Sequence, residues 1–518
     1  MEVLSSADKR RLRQKGISEE TLRKQLDGFK TGFPFARLVA PALTGDGVLS
    51  FSESETERYR RLYKEKSEKE TILKFVPASG AATRMFKDLY AFRQACREEK
   101  DAVPSADVRE FFGNLPRFAF YEALREQVMR TLGKDLQEAV SQKDYSSVLD
   151  CLLEPAGLDY GHLPKALLLF HRYETGPVTA MEEHLAEAAL YASSGGICRL
   201  HFTLSPEHRQ AFDERLAKVL PAYEKKHGVR YRISVSEQKP GTDTVAVTPD
   251  NEIFRDREGE MVFRPGGHGA LIENLAEQEA DIVFIKNIDN VTTEALRGPT
   301  RTYKELLAGV LLERRDAVFA YLEKIEDCLH KQEGPSEVFL QELEDFAESG
   351  LCLRLAEGFG AMDPAARLAV LQKAFHRPMR VCGVVRNTGE PGGGPFWVLS
   401  QGDDAPSLQI VESSQVDMRD AGQKRIFETS RFFNPVDLVC SLYDHKHDKF
   451  DLSGFIDPQT AFISRKSVQG TDIKAMELPG LWNGAMARWI TLFVEVPQRV
   501  FTPVKTVNDL LRPQHGDV

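Results

Sequence analysis

The chain is short of cysteine: Cys96, Cys151, Cys198, Cys328, Cys352, Cys382 and Cys440 are the seven in 518 residues, and no two form a Cys-x-x-Cys pair. The odd count and scattered positions exclude a regular disulfide framework and read as reduced thiols in a cytoplasm. No apolar run approaches the ~20 residues that span a bilayer. The first residues, MEVLSSADKRRLRQKG, have no apolar core of signal-peptide length, so a soluble intracellular protein is expected and no membrane partner. Positive charge is not in surplus either: 68 Lys and Arg against 78 Asp and Glu leave a net charge of -10. A broad nucleic-acid surface is thereby excluded, a small basic pocket is not. There is no internal repeat and no low-complexity tract.

What is present is ordinary globular material, 42% hydrophobic and 28% charged. The length predicts roughly two to four domain-sized units, or one core with large insertions. Residues 1–70 read as a charged N-terminal helical region with Ser caps. A strand is expected over 71–76, then helices from 86 to about 157 on apolar spacings of three and four. After a loop, an apolar run and an amphipathic helix, the segments GICRLHFTLS, VRYRISVSEQ and ADIVFIKNID read as strands alternating with helices. That order predicts a mixed, mostly parallel α/β core. Leu307, Leu311, Val318, Leu322, Ile325 and Leu329 keep helical spacing, so 300–380 reads as a helical insertion. The expected division is therefore 1–70, a nucleotide-binding core 71–299 with a helical insert at 86–157, the insertion 300–380, and a strand-rich part 381–518.

The chemistry begins at KFVPASGAATRMFKDL, residues 74–89. Small residues between a strand and a helix let a backbone approach an anion, and a helix start offers free N–H groups. Arg84 at such a start opposes the helix dipole unless an anion is near. Taken alone, the stretch is equally an ordinary tight turn. Lys165 follows a proline, and FRPGGHGALIENL places two glycines and His268 at a helix start, where a planar or anionic ligand could approach closely. Asn287, Asp289 and Asn290 end a buried strand, where α/β sheets bind ligands. Asp289 could hold Mg²⁺ with neighbouring phosphates or cap the next helix. DHKHDKFD reads as a solvated loop, and Trp397 and Trp482 as packing residues, with stacking on a sugar face as the alternative.

These segments, in this order, resemble the UDP-sugar pyrophosphorylases: PASGAATRM, the Pro-Lys at 164–165, PGGHG at 265–269, NIDN at 287–290 and, most closely, VPQRVFTPVKTVNDLL at 496–511. End to end the chain is also similar to a bacterial family of similar length with no established activity. The resemblance implies a GT-A-like Rossmann-variant fold with large helical insertions. It implies transfer of UMP, or another NMP, from UTP or another NTP to a sugar 1-phosphate, with Mg²⁺ as cofactor and pyrophosphate released. By position, Arg84, Lys165 and Lys505 would be the catalytic cations. Ala78, Ser79, Gly80 and Thr83 would line the triphosphate, and Gln238, Gly266, Gly267 and His268 the base. Asp289 would bind the metal, and Asn290, Glu412, Asn434 and Glu477 the sugar. Oligomeric state is left open. Two other readings stay open: a GT-A-type glycosyltransferase using Asp289, and a non-catalytic sugar-nucleotide binder, for which Ala82 in place of a family glycine speaks.

Overall fold

The computed structural model describes residues 4–80, 82–99, 102–330, 334–389, 392–468 and 470–516. The fold is mixed α/β with a mostly parallel central sheet and several antiparallel pairs outside it, and the chain divides into two compact units, each assembled from separated segments. One holds residues 1–72, 238–285 and 305–498; the other holds 73–237, 286–304 and 499–518. The consecutive blocks expected above do not follow this division, because strands distant in sequence pair to build each unit. No helix of the described residues is long and apolar enough to cross a membrane.

In the first unit, Leu43–Thr44, Gly47–Leu49, Ile490–Glu495 and Met379–Arg386 run parallel as neighbours, and Phe432–Ser441 then pairs antiparallel with Met379–Arg386. The strands are apolar on both faces, as the near-continuous burial of Phe432–Ser441 shows. Residues 305–330 of the helix Arg297–His330 belong to this unit. Leu307, Leu311, Val318, Leu322 and Ile325 are buried, whereas Leu329 is 52% exposed. A Cβ on Gly383, in the sheet, would come 3.5 Å from the Leu307 side chain, so this helix is core and not an insertion laid upon it.

The N-terminal helices Ser6–Lys15 and Glu19–Thr31 are capped by Ser5 and Ser18 and bury Leu12, Leu22, Leu26 and Phe29 against Val245, Val247, Met261 and Met476. The N-terminal region is not helical throughout. Leu38–Pro41 pairs with Gly393–Val398, and that strand with Ser407–Glu412, around Leu38, Phe396 and Val411. Strands of two to four residues broken by Pro41, Gly45 and Gly47 are too short to show an alternation in the sequence.

In the second unit, Ile72–Pro77, Ile197–Leu204 and Arg230–Glu237 are parallel, with Pro77 level with Thr203. Cys198, Leu200 and Phe202 are fully buried, as their alternation predicts. Among the described residues, five α-helices between Lys87 and Leu153 close over Phe92, Phe111, Phe118 and Phe120. The expected apolar run is a hairpin, Leu169–Tyr173 with Gly176–Thr179. The helix after it, Ala180–Tyr191, is buried from Ala180 to Ala188 and is not amphipathic. Its Glu183 and Glu187 turn inward to buried partners.

Candidate functional site

In the second unit the strand Ile72–Pro77 ends in Ala78, Ser79 and Gly80, and a short 3-10 turn, Ala82–Phe86, leads into the helix Lys87–Glu98. Ala81 lies outside the described residues. The loop is held at both ends. The Ala78 amide donates to Thr203, and Ser205 Oγ donates to the Ser79 carbonyl at 2.9 Å. Further on, the Ala82 amide donates to the Leu163 carbonyl at 3.2 Å, and Thr83 Oγ1 to that of Gly161 at 3.2 Å. Those bonds bring the loop against the segment that presents Lys165 two residues later. A Cβ on Gly80 would meet nothing within 4 Å, so packing does not demand this glycine and open space lies over it. Arg84 is exposed in the 3-10 turn, ahead of the helix rather than in its first turn, and makes no ion pair among the described residues.

Lys165, Asp289 and Lys505 meet at one point, from three separate segments of the same unit. Lys165 Nζ donates to Asp289 Oδ2 at 2.9 Å and to the Val504 carbonyl at 2.7 Å. Lys505 Nζ donates to the same Oδ2 at 3.0 Å. The backbone builds this convergence. Asn290 and Pro503 form a bridge, the Val504 amide donates to the Asp289 carbonyl, and the Thr502 amide donates to Asn290 Oδ1 at 3.0 Å. A capping box then fixes the far side: the amides of Lys505 and Thr506 both donate to Asp509 Oδ2 at 2.7 Å. Asp289 does not cap a helix.

Burial works to raise the Asp289 pKa, but the charges of Lys165 and Lys505 overcome it and hold the carboxyl below its ordinary value. Asp289 Oδ1 is buried and has no hydrogen-bond partner among the described residues. A carboxylate held ionised, with one oxygen paired and one unpaired, is a ready ligand for a cation arriving with its own anions. One carboxylate plus substrate phosphates is a donor set that Mg²⁺ accepts. Asn290 is buried, and its Oδ1 is engaged by the Thr502 amide at this backbone junction, whereas its Nδ2 has no partner among the described residues.

Charge is also buried elsewhere in this unit. Lys74 and Lys286, both at most 1% exposed, clasp the two oxygens of Glu187 at 3.0 and 2.8 Å, and Tyr191 donates to Glu187 as well. The sequence offered no sign of this: each lysine sits in an apolar strand and looks like a lone surface charge. Burial pushes Lys74 down to about 8, with Glu187 opposing the shift. A second buried network joins Glu183, His171 and His515, with contacts of 2.7 and 2.8 Å, and Arg297 pairs with the other oxygen of Glu183. It ties the C-terminal segment that carries Lys505 to the hairpin.

The first unit carries the remaining expected residues. Gly267 has φ +77°, and a Cβ there would come 3.3 Å from Glu477 Oε2, so glycine is required on both counts. His268 stacks on Trp482, ring centroids 4.1 Å apart and 9° from parallel, and its Nδ1 accepts from the Leu481 amide at 3.0 Å. Burial pushes His268 down to about 4, so the ring is neutral near pH 7 and its lone pair is fixed. Gly266, Gly267, His268 and Glu477 thus form one cluster. Gln238 is half-buried beside Thr242. Thr242, Gly269 and Ala270 line a cleft of about 620 Å³ in this unit. Glu412 accepts from Asn483 at 3.3 Å, and Gln415, next to it, lines a larger cleft of about 850 Å³. Asn434 is turned into its own strand, accepting from the Val436 amide where Val436 has φ +56°. None of Lys165, Asp289 and Lys505 lines either cleft.

Among solved structures, the chain is similar to UDP-N-acetylglucosamine pyrophosphorylase from Trypanosoma brucei in complex with an inhibitor, at 12% identity over 97% of this chain and 76% of that one, with a TM-score of 0.48. It is similar to a mutant of UDP-glucose pyrophosphorylase from Leishmania major at 13% identity over 98% and 79%, TM-score 0.43. It is also similar to UDP-glucose phosphorylase from Trypanosoma brucei at 13% identity over 98% and 77%, TM-score 0.44. No curated protein matches it. One family matches nearly end to end, over residues 5–516, and the chain belongs to it: the family described as Domain of unknown function (DUF4301).

Proposed function

We propose that this chain is a nucleotidyltransferase with a GT-A-like core, which transfers UMP or another NMP from an NTP to a sugar 1-phosphate and releases pyrophosphate. One observation carries the reading: Lys165, Lys505 and Asp289 converge on a single carboxylate oxygen, and each stands in a motif that resembles a phosphate- or metal-binding segment of the UDP-sugar pyrophosphorylases. The chemistry asks for such a site. A sugar 1-phosphate oxygen must approach the α-phosphorus of a triphosphate, and two polyanions repel until cations are in place. The two ammonium groups neutralise Asp289. Phosphate oxygens would compete for them, with Arg84, exposed and unpaired among the described residues, as a third cation. Asp289 would hold Mg²⁺ through Oδ1, and the ion, bound with the triphosphate, would supply charge neutralisation at the phosphates. We place the protein in the cytoplasm, which suits seven cysteines with no disulfide among them.

The test is direct. Purified protein is incubated with each NTP, Mg²⁺ and a panel of sugar 1-phosphates, and pyrophosphate is assayed. Turnover with at least one pair, lost on Lys165→Ala or Asp289→Asn, supports the reading. Absence of turnover with every pair, together with no nucleotide binding by calorimetry, refutes it.

One observation favours a second reading. The Ala82 amide is spent on Leu163 and cannot reach a phosphate, so the loop has fewer free donors than a glycine-rich one. A chain that binds a nucleotide sugar without turning it over would give heat of binding in the calorimeter and no pyrophosphate.

A further inference from the structure

The segment Tyr443–Asp448 looks in the sequence like a solvated loop, with four charged or imidazole side chains in a row after Asp444. The structure turns two of its side chains inward. Asp444 is 9% exposed, and the side chain of His445 is 5% exposed. His376, the residue that ends the helix Pro364–Phe375, meets them within the same unit. One coordinating atom from each of His376, Asp444 and His445 lies within 4.8 Å of the others.

Two of the three side chains are held in place by groups outside the trio. Asp444 Oδ1 accepts from the amides of Lys446 and Asp448, both at 2.9 Å, which locks the carboxylate and leaves Oδ2 facing His376 Nε2 at 3.1 Å. His445 Nε2 lies 3.0 Å from Glu326 Oε1. A carboxylate on one imidazole nitrogen keeps the proton there and leaves a lone pair on the other. That other nitrogen, Nδ1, is buried and has no partner among the described residues. A buried imidazole with one nitrogen held by a carboxylate and the other unpaired, grouped with a histidine and a locked carboxylate, is a donor set that a metal ion uses.

We propose that His376, Asp444 and His445 form a binding site for a divalent transition-metal ion of the zinc class, with Glu326 orienting His445. Two imidazoles and one carboxylate suit zinc or its first-row neighbours, whereas Mg²⁺ and Ca²⁺ prefer all-oxygen shells. Ligand atoms in tetrahedral zinc sites stand about 3.3 Å apart, given metal–nitrogen distances of about 2.0–2.1 Å. The observed spread therefore closes by about 1 to 1.5 Å on binding, which His376 can supply because it lies past the end of its helix and its side chain is 47% exposed. The exposed side leaves a fourth position for water or an outside ligand. The ion would tie the end of Pro364–Phe375 to the 443–448 loop and, through Glu326, to the helix Arg297–His330.

The experiment uses the full chain, stripped with a chelator and held in excess Mg²⁺. Zn²⁺ is titrated by calorimetry, and Co²⁺ is titrated as a visible-light probe of the same site. The expected result is one tight ion per chain, a rise in melting temperature, and a cobalt spectrum of low-coordinate nitrogen and oxygen ligation. His376→Ala, at a half-exposed position that the fold tolerates, should weaken binding at least tenfold, as should His445→Gln. Glu326→Gln, which leaves all three ligands in place, should weaken it by a smaller factor. Circular dichroism of each metal-free variant checks that the fold is kept. Wild-type protein that takes up no Zn²⁺ or Co²⁺ at micromolar concentration overturns the proposal, as does undiminished binding by the His376→Ala/His445→Gln double variant.

Discussion

Lys165 and Lys505 share one oxygen of Asp289, at 2.9 and 3.0 Å, yet the two ammonium groups are differently placed: the Lys165 side chain is 14% exposed and that of Lys505 is 54% exposed. The difference separates their roles. A half-exposed ion pair contributes about 0 to 1 kcal/mol, so Lys505→Ala should leave urea unfolding almost unchanged. If Lys505 meets phosphate, the same variant should lose about 10²-fold or more in pyrophosphate release, the usual cost of one charge-stabilising group. Lys165→Ala removes a buried partner and a bond to the Val504 carbonyl, and should cost about 2–4 kcal/mol of stability as well as activity. Equal destabilisation by the two variants would contradict this division.

The Asp289 carboxyl makes a prediction in acid. Its folded pKa lies below the ordinary 3.8, so the ionised form contributes stability above that value and loses it as pH falls through the folded pKa. Asp289→Asn lacks the charge at every pH and leaves both lysines without their counter-ion. The stability gap between wild type and Asp289→Asn should stay constant from pH 7 to about pH 5 and shrink below about pH 4, where the unfolded wild-type chain takes up the proton before the folded chain does. Chemical denaturation at a series of pH values measures the gap. A gap that keeps its size at pH 3 would show that the ion pair is not its source.

How much of this could be read from the sequence depends on whether the signal is local. Ile197–Leu204 and Tyr121–Leu132 were legible because apolar residues repeat at the period of their own element. Lys165, Asp289 and Lys505 were legible for another reason: each lies in a short segment whose composition resembles a known one, and Pro164, Asn290 and Pro503 set the backbone that presents them. Lys74, Glu187 and Lys286 were not legible. Each is a single charge in an apolar element, and only the packing of two strands on one helix shows that the three cancel. Asp444 and His445 misled for the same reason, since a charged stretch reads as solvated until the helix end at His376 is found beside it. The hairpin Leu169–Tyr173/Gly176–Thr179 was lost in a run that could equally have been one buried helix.

His515 supplies a second acid-side prediction, with the opposite kind of group. Burial, helped by the neighbouring His171, pushes His515 down to about 3 from 6.5. Between those values the unfolded chain binds a proton that the folded chain refuses, so the fold loses stability as pH drops from about 6.5 toward 3. His171 Nε2 lies 2.8 Å from His515 Nδ1, so the test reads the stability profile of the whole chain. His515→Gln should flatten the slope of stability against pH between 6.5 and 4. A slope unchanged by the substitution would assign that acid sensitivity elsewhere.

The Lys74–Glu187–Lys286 cluster predicts an alkaline rise. Burial pushes Lys74 down to about 8, against 10.5 in the unfolded chain, while Glu187 stays ionised between the two lysines. Below about pH 8 the folded chain carries a costly buried charge. Between about 8 and 10.5 it releases that proton and the unfolded chain still holds one, so this site adds stability as pH rises through the window. Lys74→Met keeps the volume and removes the charge, so its stability should lack that rise and should equal or exceed wild type at pH 7, because Glu187 keeps Lys286 and Tyr191. Glu187→Gln does the reverse. It leaves two lysines buried without their shared counter-ion, and should cost about 3–5 kcal/mol at pH 7, the range for breaking a buried pair from one side. The two variants together test the arrangement: Glu187→Gln destabilising and Lys74→Met not, with the pH 8 to 10.5 rise absent only from the latter, is the pattern that three buried groups sharing one net positive charge require.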